Sequence, residues 1–196
     1  MTPLTSLNFC GKNTTKIGSC SGANYAGVRQ QEEYFAMVTI RSLTLGDLEQ
    51  TAALFDQYRQ FYRQPSDIAA ASEFISERLR NSDSFLIGAF DGRTEIGFTQ
   101  LYPSFSSVSM RRKLILNDMY VLERFRRNGV AQNLLKAADD LAVELDAAGL
   151  VLATQKENRS ARKLYETAGW VEESAFVYYN RAPAKVSPNN QVESDA

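Results

Sequence analysis

A short basic turn carries the clearest chemical signal in the chain. Arg126, Arg127, Asn128, Gly129, Val130 and Ala131 follow a strand-like stretch, Leu114 to Val121, and an amphipathic helix pattern opens directly behind them. Amides at a helix start lack intrahelical partners and point outward together. The helix dipole favours negative charge at the same place. With Arg124 also nearby, the turn has the layout of a pyrophosphate cradle. It is not a Walker A loop, because no G-x4-G-K-[ST] occurs. Nor is it a dinucleotide fingerprint, since one glycine alone sits in the turn. A plain solvated, Arg-rich helix start is the alternative reading.

The absences narrow the chemistry. There is no histidine, which removes the commonest general base and the commonest metal ligand. A Ser-His-Asp hydrolase and a His-bound zinc enzyme are excluded, and no metal is expected. Cys10 and Cys20 are the only cysteines, and their spacing fits no common metal site. A net charge of −1 argues against bulk-charge binding of nucleic acid. No apolar run is long enough to span a membrane, and the first residues lack the apolar core of a signal peptide. The expected setting is therefore cytoplasmic.

The elements that must position the turn can be read from periodicity. Residues 1–36 are rich in Ser, Thr, Asn and Gly and read as a disordered extension, with Met37 a possible start of the folded unit. Residues 182–196 read as a disordered tail, leaving one domain over 38–181. Val38 to Arg41 is a strand. Thr44 and Asp47 form a capping box before a helix whose inner face is Leu48, Ala52, Phe55, Tyr58 and Tyr62. A second helix from about Pro65 turns Ile68, Ala71, Ile75 and Leu79 inward. Ser84–Phe90 and Glu95–Leu101 are strands joined at the Asp91-Gly92 turn signal. Tyr102 to Arg112 reads as a Ser-rich loop. Leu114–Val121 is a long strand, and Val130 to Leu145 a helix ending at Gly149. Leu150 to Ala153 is an apolar strand, parallel to its predecessor. Ser160 to Ala168 is a short helix stopped by Gly169. Val171 and Ala175 to Tyr179 are expected to close the sheet.

Downstream of the turn, Asn158 to Trp170 adds a second signature. The chain resembles the GNAT superfamily of N-acetyltransferases. Arg126-x-x-Gly129-x-Ala131 matches that family's [QR]-x-x-G-x-[GA] acetyl-CoA signature. Asn158, Tyr165, Gly169 and Trp170 match its N-x-x-[AS]-x-x-x-Y-x-x-x-G-[FW] pattern. The resemblance covers about Val38 to Arg181 and is sharpest over 114–170. It implies an α/β (α+β) GNAT fold: a mixed, mostly antiparallel twisted sheet of about six to seven strands with about four helices.

The resemblance also implies roles. Acetyl-CoA is the cosubstrate. The backbone of Met119, Tyr120 and Val121 pairs with its pantetheine arm. Amides from Arg126 through Arg127, Asn128, Gly129 and Val130 to Ala131 hold its pyrophosphate, and Asn158 contacts it. Tyr165 donates a proton to the leaving thiolate; simple core packing is its other reading. Glu123 stands where the family commonly has Pro. Leu116 to Val121 is similar to the corresponding strand of diamine and polyamine acetyltransferases, whose carboxylates meet the substrate amine. Here Asn117 replaces the first acidic residue, and Asp118 is kept. Asp118 is thus either the base that meets the amine or a buried Asp bonding backbone. Tyr58, Phe61 and Tyr62, and the loop Ser104 to Ser109, lie where the family has substrate-side elements; the three aromatics could equally be core.

The activity expected is direct acetyl transfer to a primary amine, a small polyamine or diamine. A protein amine (lysine or N-terminal), a longer acyl group and a non-catalytic acyl-CoA-binding domain are the alternatives. A homodimer is expected by analogy alone. The amine arrives as ammonium, so some group must take its proton, and orientation beside the thioester supplies much of the rate.

Overall fold

A computed structural model describes residues 38–182. The expected extension over 1–36 and the tail beyond residue 182 lie outside the described residues. Five strands form one sheet in the order β1 (Val38–Ser42), β2 (Phe85–Asp91), β3 (Thr94–Ser106), β4 (Arg111–Val121), β5 (Gly149–Leu152). The first four are antiparallel neighbours, and β5 runs parallel to β4. Helices α1 (Leu48–Phe61) and α2 (Ile68–Asn81) connect β1 to β2. Helix α3 (Val130–Glu144) connects β4 to β5, and α4 (Arg159–Thr167) follows β5.

Each face of the sheet buries its own core. On one face Leu134, Leu135 and Ala138 of α3 pack on Ile96, Leu101, Leu114 and Leu116. On the other, Leu54 of α1 and Ile75 of α2 pack on Leu86, Phe90 and Phe98. The 3.6-residue periodicity of the helices makes these apolar stripes. The expected capping box is present. Thr44 accepts from the Gly46 amide, Asp47 accepts from the Thr44 amide, and a 3-10 turn (Leu45–Asp47) leads into α1. Arg41 then grips Asp47 through both terminal nitrogens, 2.6 and 2.9 Å, and holds its carboxyl down at about 2.

Two expectations are corrected. The Ser-rich segment is not a loop. β3 and β4 stay paired out to Ser106 and Arg111, and only Ser107 to Met110 turn. Ladder hydrogen bonds override the weak strand propensity of Ser and Pro there. The closing strand is also missing, so the sheet has five strands rather than six to seven among the described residues. Val171 and Phe176 to Tyr179 are exposed and pair with no strand among the described residues. Their β-branched and aromatic character favours a strand, but a strand exists only with a neighbour to bond.

Candidate active site

The break in the sheet builds the site. Gln100 pairs with Asp118 and Leu101 pairs with Leu116, so Asn117 is an extra residue on β4. A one-residue bulge of this kind exchanges the faces of everything beyond it. Before it, Leu114 and Leu116 face α3. After it, Met119 and Val121 pack on the α3 side and Tyr120 on the α1 side. Asp118 keeps the parity of Tyr120 and meets Tyr58 of α1. Without the bulge, the carboxylate would point into the apolar core.

The bulge also ends the pairing with β5. Only Lys113 to Leu116 are matched with Gly149 to Leu152. Among the described residues, 117–121 therefore have no strand beside them on that edge. Unpaired ladder groups there suit an extended ligand carrying amides.

The turn beyond β4 continues the line. A 3-10 turn (Glu123–Phe125) leads into it, and the Arg126 amide donates to the Glu123 carbonyl at 3.1 Å. The first helical bond of α3 runs from the Asn133 amide to the Gly129 carbonyl at 3.0 Å. The amides from Arg127 to Gln132 make no close, well-aligned bond to a backbone carbonyl among the described residues. Arg127 at φ 62° and Gly129 at φ 76° bend the chain here, the kind of turn whose successive amides can form an anion-binding concavity. The Arg126 side chain points away from the cradle. Its Nε donates to the Val121 carbonyl at 2.9 Å, and its guanidinium lies 5.5 Å from the Tyr120 ring and 5.9 Å from the Phe61 ring.

The second signature is partly helix punctuation. The Asn158 Oδ1 accepts from the Ala161 amide at 3.1 Å and caps α4. At the other end Gly169 takes φ 88°, with amide bonds from Gly169 to Glu166 and from Trp170 to Tyr165, a Schellman stop. Trp170 folds back so that its ring lies 6.2 Å from that of Tyr165. The half-buried Tyr165 has its hydroxyl pushed up by burial and then by the neighbouring Tyr62. It therefore stays protonated near neutrality and can donate.

Asp118 is 6% exposed. Burial raises its carboxyl above the usual range, while bonds from Asn117 and Tyr58 partly offset this. The Asn117 Nδ2 donates to Oδ2 at 3.1 Å. Aromatic rings surround this point: Tyr58 lies edge-on to Tyr62 at 5.1 Å and to Tyr120 at 6.4 Å. Tyr102 on β3 is pushed up to about 12 by burial and then by Asp118. The structure thus brings Asp118, Tyr58 and Tyr62 together, with Tyr165 beside Tyr62. Phe61 is 56% exposed, so it is not core. Ser104 to Ser109 belong to the far ends of β3 and its turn, near Arg111 to Lys113 in register rather than Asp118.

Two residues escape sequence reasoning. Asp56 ties the α1–α2 connection, accepting from Ser66 Oγ at 2.7 Å, the Asp67 amide at 2.8 Å and Gln60 Nε2 at 2.8 Å. It thereby fixes the end of α1 that carries Phe61 and Tyr62. Gln100, fully buried opposite Asp118, bonds Ser84 Oγ at 2.7 Å. Nothing local marks either residue. The bulge did leave a signal, because the apolar parity of Leu114 and Leu116 breaks at Asp118.

A sheet whose edge opens beyond Leu116, leading into a glycine-containing turn at the start of α3, frames the candidate site. The chain belongs to the acetyltransferase (GNAT) family, whose sequence pattern matches residues 51–170. It is similar to the uncharacterized N-acetyltransferase YhfO of Bacillus subtilis (strain 168), 46% identical over 149 residues, covering 76% of this chain and all of that protein. A solved structure of a probable acetyltransferase has 38% identity and a TM-score of 0.71, over 75% of this chain and 99% of that one. A thialysine N-epsilon-acetyltransferase of Caenorhabditis elegans is 26% identical over 137 residues, 70% of this chain and 83% of that protein. The protein is thus an N-acetyltransferase with an α/β GNAT fold, and membership implies acetyl-CoA as donor and an acceptor substrate. No helix among the described residues is long and apolar enough to cross a membrane.

Proposed function

We propose that the protein acetylates a small aliphatic primary amine of the diamine, polyamine or lysine side-chain type. The observation that carries this is the Asn117 bulge. It turns the Asp118 carboxylate toward the aromatic α1 side and frees the edge of residues 117–121. One carboxylate among tyrosine rings suits a single ammonium, held by charge and by the ring faces.

The residues divide the work. Amides of Arg127 to Ala131 hold the pyrophosphate, with the Arg126 side chain bracing the turn against Val121. The backbone of Met119 to Val121 accepts the pantetheine arm as an added strand. Asn158 orients α4 through its cap, and its remaining side-chain amide nitrogen is assigned to the donor. The amines and thioester supply the bonds that change; the protein supplies orientation and proton handling. Asp118 takes the ammonium's proton. Tyr165 gives its proton to the departing thiolate and regains one from the amide nitrogen as the product forms.

Thiol release from acetyl-CoA, measured with putrescine, spermidine, lysine and a peptide bearing a free N-terminus, tests the reading. Acetylation of one or more of the small amines, well above the peptide, is expected. A clear preference for the peptide would replace the small-amine reading with a protein acetyltransferase.

A further inference from the structure

The backbone at Asp118 is held from the neighbouring strand. Thr99 on β3 donates its hydroxyl to the Asp118 carbonyl at 3.0 Å, and Thr99 itself is fully buried. Its register partner is Met119, and it lies on the α3 side of β3, two residues from Leu101 of that core. A hydroxyl in such surroundings costs stability unless it is bonded. Valine would bring the same branched shape without that cost, so volume does not account for a threonine here. The bond to Asp118 does.

This bond falls where β4 has least to hold it. Asn117 is the extra residue of the bulge, and the pairing with β5 has already ended at Leu116. A bulge bends its strand and disrupts the ladder locally. The peptide from Asp118 to Met119 follows directly. Its carbonyl is turned toward β3, where the Thr99 hydroxyl meets it. In a trans peptide the N–H points the opposite way, so the Met119 amide is directed at the open edge. Further along, the Leu122 amide donates to the Ile96 carbonyl of β3 at 2.9 Å. Strand alternation thus gives the backbone groups of 118, 120 and 122 to β3 and leaves those of Met119 to the edge.

We propose that Thr99 is a positioning residue for acetyl transfer. Its hydroxyl fixes the Asp118–Met119 peptide, so that the Asp118 carboxylate stays on the acceptor side while the Met119 amide stays aimed at the donor edge. This role rests on the reading of Asp118 as the base and of residues 117–121 as the donor edge. A rotation of that one peptide would displace both groups together, and small misplacements cost large factors in rate. Fully buried, Thr99 acts through the peptide rather than on either substrate.

The full chain is assayed by thiol release with acetyl-CoA and whichever of putrescine, spermidine and lysine it acetylates fastest, and each variant is also unfolded in denaturant. Thr99→Val keeps the branched shape and removes the hydroxyl. Thr99→Ser keeps the hydroxyl and removes the methyl. Turnover should follow the hydroxyl. Thr99→Val should lower kcat by about tenfold or more. Thr99→Ser should retain most of kcat, although the lost methyl lowers its denaturation midpoint. Thr99→Ala against Thr99→Ser isolates the hydroxyl in the same way and decides the matter if Thr99→Val fails to fold. Wild-type kcat in Thr99→Val, equal losses in Thr99→Ser and Thr99→Ala, or turnover that follows the denaturation midpoint across the variants would overturn the positioning role. With Asp118→Asn inactive in the same assay, any of these would still leave Asp118 as the base. Wild-type turnover in Asp118→Asn would remove the base and this role with it.

Discussion

Tyr165 and Glu95 show how burial gives two similar signals with different meanings. Tyr165 is raised by burial, but it sits in a motif and beside Tyr62 at the splay. Tyr165→Phe should lower kcat by roughly a hundredfold, the lower end for a lost general acid, with acetyl-CoA affinity by calorimetry unchanged. An equal loss of affinity would make its role packing. Glu95 is raised from 4.5 to about 7, chiefly by burial, against a bond from Thr51 Oγ1 at 2.7 Å. No donor reaches its Oε1, and it lies under α1 rather than on the open edge. Its folded value exceeds its unfolded one, so its contribution to stability is fully present below about 4.5 and is lost as pH rises through about 7. Glu95→Gln should therefore change the melting temperature little at pH 5. At pH 8 it should stabilise by on the order of 1–3 kcal/mol, given about 1.4 kcal/mol per unit. Denaturant melts at the two pH values check the sign.

At the scale of elements, β4 explains both what the sequence made legible and what it hid. The strand, the turn and the helix behind it follow from local pattern, as do the caps at Thr44 and the stop at Gly169. Strand alternation puts Asp118 and Tyr120 on one face, and beyond the bulge the structure has it so. The bulge at Asn117 left only the broken apolar parity at Asp118 as a trace, because its position depends on the register of β3, which local pattern cannot state. The roles of Gln100 and Asp56 were hidden for the same reason, since their partners are distant or across a strand. The expected closing strand failed where propensity had no partner to satisfy. Register also makes β4 sensitive at Gly97. A Cβ there would meet the Tyr120 carbonyl at 2.8 Å and the Val121 Cα at 3.3 Å, and backbone gives way poorly. Gly97→Ala should cost about 1–3 kcal/mol in denaturant unfolding. It should also weaken acetyl-CoA binding by calorimetry, because the strand it displaces is the proposed pantetheine edge. Unfolding cost with unchanged affinity would place the donor elsewhere.

Across the whole molecule, the two faces of the sheet divide the labour. The α3 face carries the larger core and the cradle, while the α1–α2 face carries the aromatic acceptor side. The splay between β4 and β5 is where the faces meet, with Tyr62 and Tyr165 approaching from opposite helices. Every residue given a role lies between Val38 and Ala182. A chain beginning at Met37 should therefore keep wild-type kcat and the same denaturation midpoint; loss of either would give residues 1–36 a part in the fold or site. The central claim is that Asp118 receives the proton of an amine that attacks acetyl-CoA at the splay. It is tested most directly by the pH dependence of amine-dependent thiol release for the wild type and Asp118→Asn. For the wild type, the account predicts release that needs the amine and falls on the acid side as the raised Asp118 carboxyl becomes protonated. Asp118→Asn should lose most of that rate at neutral pH, with acetyl-CoA still bound. A variant with the wild-type rate and the same acid limb would contradict it.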